Sequence, residues 1–265
     1  MCKMSKIVFL LVLVICLSVY ILLPVHANSF LARSEGLILY LSFDEGGDKV
    51  IKDLSGNGHD GENHGAKPVE GKYGKALEYS GVDTWIIVPD APDLNFGPKD
   101  SLTAICWVKI LGAPSGQGNL LAKYAVGAGT TPFYGMFHNV NNKVHAYIRD
   151  KNSKLVESWS KDVINDGNWH HLALIRDADK KKVFLYVDGN LDSDKDDIAE
   201  DLTNEFPLAI GRHTSEFLIG AVDEAMLFRR ALSSDEAKAS MEPQKFLSVS
   251  SRGKTATMWG EIKLK

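Results

Sequence analysis

The chain has 265 residues, a formal charge of −4 at pH 7, and 45% hydrophobic and 24% charged residues. That mildly acidic balance, with Lys and Arg scattered apart from Lys180-Lys181-Lys182, argues against a polyanion partner such as nucleic acid. The length exceeds one average domain but is ordinary for a single all-β sandwich.

The chain opens with a leader. Lys3 and Lys6 precede an apolar run from Ile7 to Leu23, and Pro24-Val25-His26-Ala27 offers small residues at the cleavage positions Val25 and Ala27. Residues 1–27 are expected to be a secretory signal peptide, placing the mature chain outside the cell or at its surface, with no membrane contact after cleavage. The apolar run of 17 residues sits at the short edge of a membrane span, so an uncleaved leader would act as an anchor. Cys16 follows Ile15 inside that run, which does not fit a lipoprotein. Cleavage removes two lysines and no acid, taking the charge to −6 over 238 residues. It also removes Cys2 and Cys16, leaving Cys106 without a disulfide partner.

Short half-apolar runs follow, separated by Gly, Asn, Asp and Pro. GLILYLSFD (36–44), TWIIVP (84–89), SLTAICWVKI (101–110), GNLLAKYA (118–125) and FYGMFH (133–138) come first. KVHAYIRD (143–150), LVESWS (155–160), WHHLALIRD (169–177), KVFLYVDG (182–189), PLAIGR (207–212) and EFLIGAVDEAMLF (216–228) complete the series. These lengths and breakers predict strands, and a dozen or so at this spacing predict an antiparallel sandwich. One helix is predicted, over LSSDEAKASM (232–241), where Ser233 and Glu236 form a capping box. Residues 246–265 read as a C-terminal β tail, FLSVS and TATMWGEIK around Ser251-Arg252-Gly253, which either completes the sandwich or lies outside it.

Within WHHLALIRD, alternation puts Trp169, His171, Ala173 and Ile175 on one face and His170, Leu172, Leu174 and Arg176 on the other. The adjacent histidines therefore cannot share a metal or act as a catalytic pair. Asp177 to Lys181 turn the chain back, and Asp188-Gly189 is a strong hairpin signal.

The segments LYLSFDEG, DLSGNGHDG, YGKALEYSG, SLTAICWVKI, DGNWHHLALIRD, VFLYVDGN, LAIGR and IGAVDEAMLFRRALSSDE occur in an order that resembles the LamG-like jelly-roll domains of the concanavalin A-like lectin/glucanase superfamily. The resemblance runs from about Gly36 to Met241 and implies an all-β, two-sheet antiparallel jelly roll with one short helix near the C-terminus, within a domain spanning residues 28–245. The chain departs from it at Tyr79-Ser80-Gly81, where many relatives have Phe-Asp-Gly, so any role of that acid is not carried over.

Three chemistries are open. Calcium needs several oxygens on irregular loops. Asp44, Asn57 around SGNG, and Asp223 in the apolar GAVDEAML supply them, and members of the resembling superfamily often join an early loop to a late acidic strand through a structural Ca2+. Glycoside hydrolysis needs two carboxylates flanking a bond. The one acidic strand motif, Asp223-Glu224, alternates to opposite faces, and no nucleophile elbow or phosphate loop is present, so the chain is not expected to be an enzyme. Sugar binding needs exposed aromatics beside polar groups. Trp107 and Trp169 lie in the most apolar runs and are expected in the core, while Trp159 has polar neighbours. Trp159, Tyr134, His138, Tyr147 and Arg149, with His145 nearby, are the candidate ligand-binding residues, and VGAGTTP (126–132) reads as a rim loop. The sequence thus predicts a secreted, non-catalytic module recognising extracellular glycan or glycoprotein. A protein-interaction or adhesion module, and a glycoside hydrolase or lyase, are the alternatives.

Overall fold

The computed structural model describes residues 34–112, 116–124, 132–213 and 216–248. The predicted signal peptide, most of the predicted rim loop and the tail beyond Ser248 lie outside the described residues. The chain divides into two units, Gly36–Pro243 and a second made of Met1–Glu35 with Gln244–Lys265.

The first unit is the predicted sandwich, with strands numbered along the chain. The first sheet runs β14 (Asn190–Asp196), β13 (Lys182–Val187), β12 (Trp169–Asp177), β7 (Leu102–Ile110), β18 (Ile219–Phe228), β5 (Lys75–Ser80) and β4 (Lys67–Glu70), and β1 (Leu37–Leu41) also pairs with β18. The second runs β11 (Leu155–Trp159), β10 (Val144–Arg149), β9 (Phe133–Asn139), β8 (Gln117–Lys123), β15 (Leu208–Ile210), β6 (Trp85–Val88), β3 (Gly61–His64) and β2 (Val50–Ile51). A small hairpin, β16 (Arg212–His213) with β17 (Glu216–Phe217), follows β15.

Period-two packing fixes the core. Leu172 and Leu174 of β12, Cys106 and Val108 of β7, and Val144, Ala146 and Ile148 of β10 point into one buried cluster. Arg176 shares the inward face of β12, and its buried guanidinium is satisfied by Asp197 at 2.6 Å and by the carbonyls of Ala199 and Glu200. The hairpin signal holds: β13 turns into β14 through Asp188 (φ 50°) and Gly189 (φ 71°), both left-handed as a type I′ turn requires.

Strands that carry no apolar alternation escape a sequence reading. GENH (β3), KPVE (β4) and NLDSDKD (β14) lie at or near sheet edges, where water replaces core on one side. Helix α1 (Ser234–Ala239) starts at the predicted capping box, with Ser233 Oγ accepting from Glu236 N. A second helix, α2 (Pro243–Ser248), takes Phe246–Ser248 out of the predicted FLSVS strand. Pro243 stands at its first position, where the missing N–H costs nothing.

Candidate binding face

The outer face of the second sheet gathers the aromatics. Val144, Ala146 and Ile148 are core residues, so His145, Tyr147 and Arg149 point outward. On β11, Val156 points inward and Glu157 and Trp159 outward. Antiparallel register then sets His145 opposite Trp159, and Tyr147 opposite Glu157. The rings stack: Trp159 on His145 at 3.7 Å and 8° between planes, and His145 on Tyr147 at 4.1 Å and 14°. Tyr147 also meets Phe133 at 4.5 Å and Phe137 at 4.7 Å. Tyr147 faces Gly135 across the ladder, and a Cβ at 135 would sit 2.3 Å from that of Ala122 on β8.

Polar groups are threaded through the stack. Gln117 Nε2 lies 3.1 Å from His145 Nδ1, His145 Nε2 lies 3.1 Å from Glu157 Oε1, and Tyr147 OH donates to Gln117 Oε1 at 3.3 Å. Burial pushes the His145 imidazole down to about 4, so it is neutral at pH 7. The partners assign the tautomer: Nδ1 accepts from Gln117 and Nε2–H donates to Glu157. Trp159 remains 40% exposed, which leaves it free to meet a ligand.

Of the five predicted ligand residues, this face brings together Trp159, Tyr147 and Arg149. Tyr134 and His138 do share a face, as alternation requires, but it is the inner one. Tyr134 pairs with Ile148 and His138 with Val144, both core residues. The Tyr134 hydroxyl donates to Leu94 O at 2.8 Å, and His138 is wholly buried, with burial driving its pKa down to about 4. Neither can touch a ligand on the outer surface. Gln117 and Glu157, which the sequence reading passed over, take their place. Register was the missing signal, because Glu157 becomes a site residue only through its pairing with Tyr147.

The acidic residues form a different site, on the outer face of the first sheet. A β-bulge sets Glu224 and Ala225 against the single residue Cys106, with Asp223 opposite Trp107 and Met226 opposite Ile105. Glu224 adopts φ 52° there. The bulge corrects the expectation that Asp223 and Glu224 point to opposite faces. Glu224 accepts from the hydroxyl of Tyr40, an outward residue of β1, and its charge helps raise the Asp223 carboxyl. Both acids are fully buried. The turn between β4 and β5 supplies backbone N–H groups: Tyr73 N to Asp223 Oδ2 at 2.9 Å and Lys75 N to Asp44 Oδ1 at 3.0 Å. Gly71 and Gly74 permit that approach, since a Cβ at 74 would sit 2.0 Å from Asp44 Oδ1 and one at 71 would sit 2.7 Å from Asp223 Oδ2.

Asp223 Oδ1 is buried with no hydrogen-bond partner among the described residues. Burial, then Glu224 and Asp44, push its pKa up to about 8. Three hard oxygen donors around an orphaned carboxylate oxygen suit a hard cation in donor chemistry. They do not by themselves make a cage, for no metal-binding group of three or more His, Cys, Asp or Glu exists among the described residues. Asn57 is engaged elsewhere: its Nδ2 donates to Leu37 O, Ile38 O and Ser55 Oγ.

Trp107 belongs to this outer face too and is buried outside the core cluster. The β4–β5 turn and α1 cover it, with Lys72 Nζ 4.4 Å from its ring centre, and a cleft of about 560 Å³ remains between them. Trp169 is half-buried rather than core.

A family model of the concanavalin A-like lectin/glucanases superfamily, laminin G type, matches residues 80–238. The chain belongs to that superfamily. Solved structures share its fold. The binding domain of Paraclostridial Mosquitocidal Protein 1 is 18% identical, with a TM-score of 0.65 over 80% of this chain and 53% of that one. Domain 4 of AbnA, an extracellular arabinanase from Geobacillus stearothermophilus, solved in complex with arabinotriose, is 20% identical, with a TM-score of 0.61 over 77% of this chain and 97% of that domain. The ligand binding domain of botulinum neurotoxin serotype D, solved in complex with N-acetylneuraminic acid, is 14% identical, with a TM-score of 0.61 over 80% and 52%. The chain thus spans about half the length of the two toxin domains. No curated protein sequence matches it. The superfamily membership accounts for the sandwich; the stacked face and the bulged acids are argued from this chain's own residues.

Proposed function

We propose that the protein is a secreted, non-catalytic binding module for extracellular carbohydrate, which it grips with the outer face of the second sheet. The carrying observation is the Trp159–His145–Tyr147 stack with Gln117 and Glu157 beside it. A sugar offers C–H faces to rings and hydroxyls to fixed polar atoms, and this face presents both, with Trp159 at its exposed end. Domains of the same fold solved with arabinotriose and with N-acetylneuraminic acid support a sugar ligand, although fold alone does not choose one. The leader sequence supports secretion. The non-catalytic reading rests on the acids: Asp223 and Glu224 are buried against Tyr40 and the β4–β5 turn, where no glycosidic bond can come between them.

In this reading Asp44 and Asp223 hold a structural calcium ion, with backbone carbonyls or water completing its shell. The ion would supply the positive charge that the Asp223 carboxyl lacks. Thermal melting with and without chelator tests it: the midpoint should fall when metal is removed, and an unchanged midpoint with no metal in the purified protein removes the ion. A glycan array tests the main reading. Binding should appear on a restricted set of glycans and disappear in Trp159→Ala. A silent array, or Trp159→Ala binding as wild type does, overturns it.

A further inference from the structure

The cleft over Trp107 lies on the first sheet, away from the aromatic stack. Trp107 of β7 is its floor, 3% exposed, and the indole N–H has no acceptor among the described residues. The turn between β4 and β5 forms one wall, with Tyr73 edge-on to Trp107 at 6.3 Å and Lys72 over the ring. Helix α1 and the turn after it form the other wall. The Tyr73 hydroxyl donates to Met241 O at 2.8 Å and so ties the two walls together. The space of about 560 Å³ is therefore bounded by fixed chain, and it falls in the size range of small-molecule sites.

The helical wall is a single stripe. Asp235, Lys238, Ala239 and Glu242 follow the i, i+3, i+4, i+7 spacing of one helix face. Hydrogen bonds from Met241 N to Lys238 O and from Glu242 N to Ala239 O continue the winding beyond Ala239. Ala239 is the short member, so the stripe dips beside Lys238. Lys72 stands on the facing wall. The rim thus carries two ammonium groups and two carboxylates, all on exposed residues, above an apolar lining of Trp107, Tyr73, Ala239 and Met241. Among the described residues, no acid lies within ion-pair distance of Lys72 or Lys238, and no base within that distance of Asp235. An uncharged sugar would leave these charges unmatched. A simple anion or a simple amine would match half of them and be repelled by the rest. A ligand with one charge of each sign and an apolar body is complementary to the whole rim.

We infer that the cleft binds a short zwitterionic peptide with an apolar side chain, from a free amino acid up to a tripeptide. Its carboxylate pairs with Lys72 and Lys238, its ammonium meets Asp235 or Glu242, and its side chain packs over Ala239 against Tyr73 and Met241. Trp107 stays under cover as the floor. The inference is independent of the glycan reading, because the two sites lie on different sheets and share no residue.

Isothermal titration with phenylalanine, Leu-Phe and Leu-Leu-Phe, each free, N-acetylated and C-amidated, tests it. At least one free form should bind, and blocking either of its ends should weaken binding about tenfold or more, since each block removes a charge-assisted contact. Lys238→Gln, at an exposed position, should weaken the free form and shrink the penalty of amidation to about threefold or less, the coupling expected of direct partners. Ala239→Leu fills the dip with a good helix former and should abolish binding while the melting midpoint stays within about 3 °C. Should that variant fail to fold, Lys238→Gln still decides. Equal binding of free and blocked forms, no binding of any free form up to about 10 mM, or wild-type affinity in Lys238→Gln or in folded Ala239→Leu overturns the inference.

Discussion

Both sheets set a tryptophan against a histidine as direct cross-strand partners on the outer face: Trp107 with His171 on the first, Trp159 with His145 on the second. The fates of the two pairs differ. Trp107 is 3% exposed and meets His171 edge-on at 5.3 Å, with Ser240 Oγ 3.3 Å from the imidazole Nε2. Trp159 is 40% exposed and lies flat on His145. The residue pair and its cross-strand register are the same; what differs is the chain laid on top. The capped helix after β18 and the β4–β5 turn close over the first pair, whereas Trp159 stands at the end of its stack on the outermost strand. Whether an outward aromatic is structural or functional is therefore decided by cover, which no local pattern reports.

The sharpest way to break this contrast is to truncate each tryptophan. Trp107→Ala should cost about 3–5 kcal/mol in chemical denaturation, because it removes a ring that is almost wholly buried. Trp159→Ala should cost no more than about 1 kcal/mol while removing glycan binding. Equal losses of stability would show that both faces are structural.

Acid comes next. Burial holds His171 at about 4 against an ordinary 6.5, so between those values the unfolded chain binds a proton that the folded chain refuses. The stability present above pH 6.5 should drain away as the pH falls to 4, by about 3 kcal/mol from this residue. His145 and His138, also depressed, drain in the same window. Urea titrations at stepped pH measure the sum, and His171→Phe should flatten part of it.

Removing the lid's anchor is a milder intervention. Ser233→Ala takes away one half of the capping box and should cost about 1 kcal/mol. It should also make Trp107 easier to quench with iodide while leaving Trp159 as it was.

The smallest effect belongs to the neighbour of His171. His170 bonds Asp188 at 2.9 Å and Asp166 at 3.0 Å, and these partners, Asp188 first, raise its pKa to about 9 against opposing burial. Its contribution is complete below pH 6.5 and disappears as the pH rises through 9. Partial exposure limits it to about 1 kcal/mol. His170→Gln should remove that alkaline slope in the same titrations.

Adjacent histidines titrating in opposite directions could be foreseen in part from the sequence. Period two separates the side chains of His170 and His171, as it separates Leu172 from Ala173, and the meander of β12 and β13 was legible for that reason. The capping box at Ser233 was legible because its signal is confined to four residues. Three features were not. The bulge at Glu224 adds a residue that alternation cannot count, and so turns two supposedly opposed acids onto one side. The inward aim of Tyr134 and His138 depends on which face of β9 meets the core, and FYGMFH is apolar on both. The strands GENH and KPVE, at or near the sheet edges, have no apolar stripe for alternation to find.

Cys106 lies directly across from that bulge, within the interior cluster, with burial holding its thiol well above the ordinary range. An alkylating reagent can reach its sulfur only when the sandwich opens. The rate at which the folded protein is labelled is therefore an intrinsic clock for opening, readable by mass spectrometry without adding a probe.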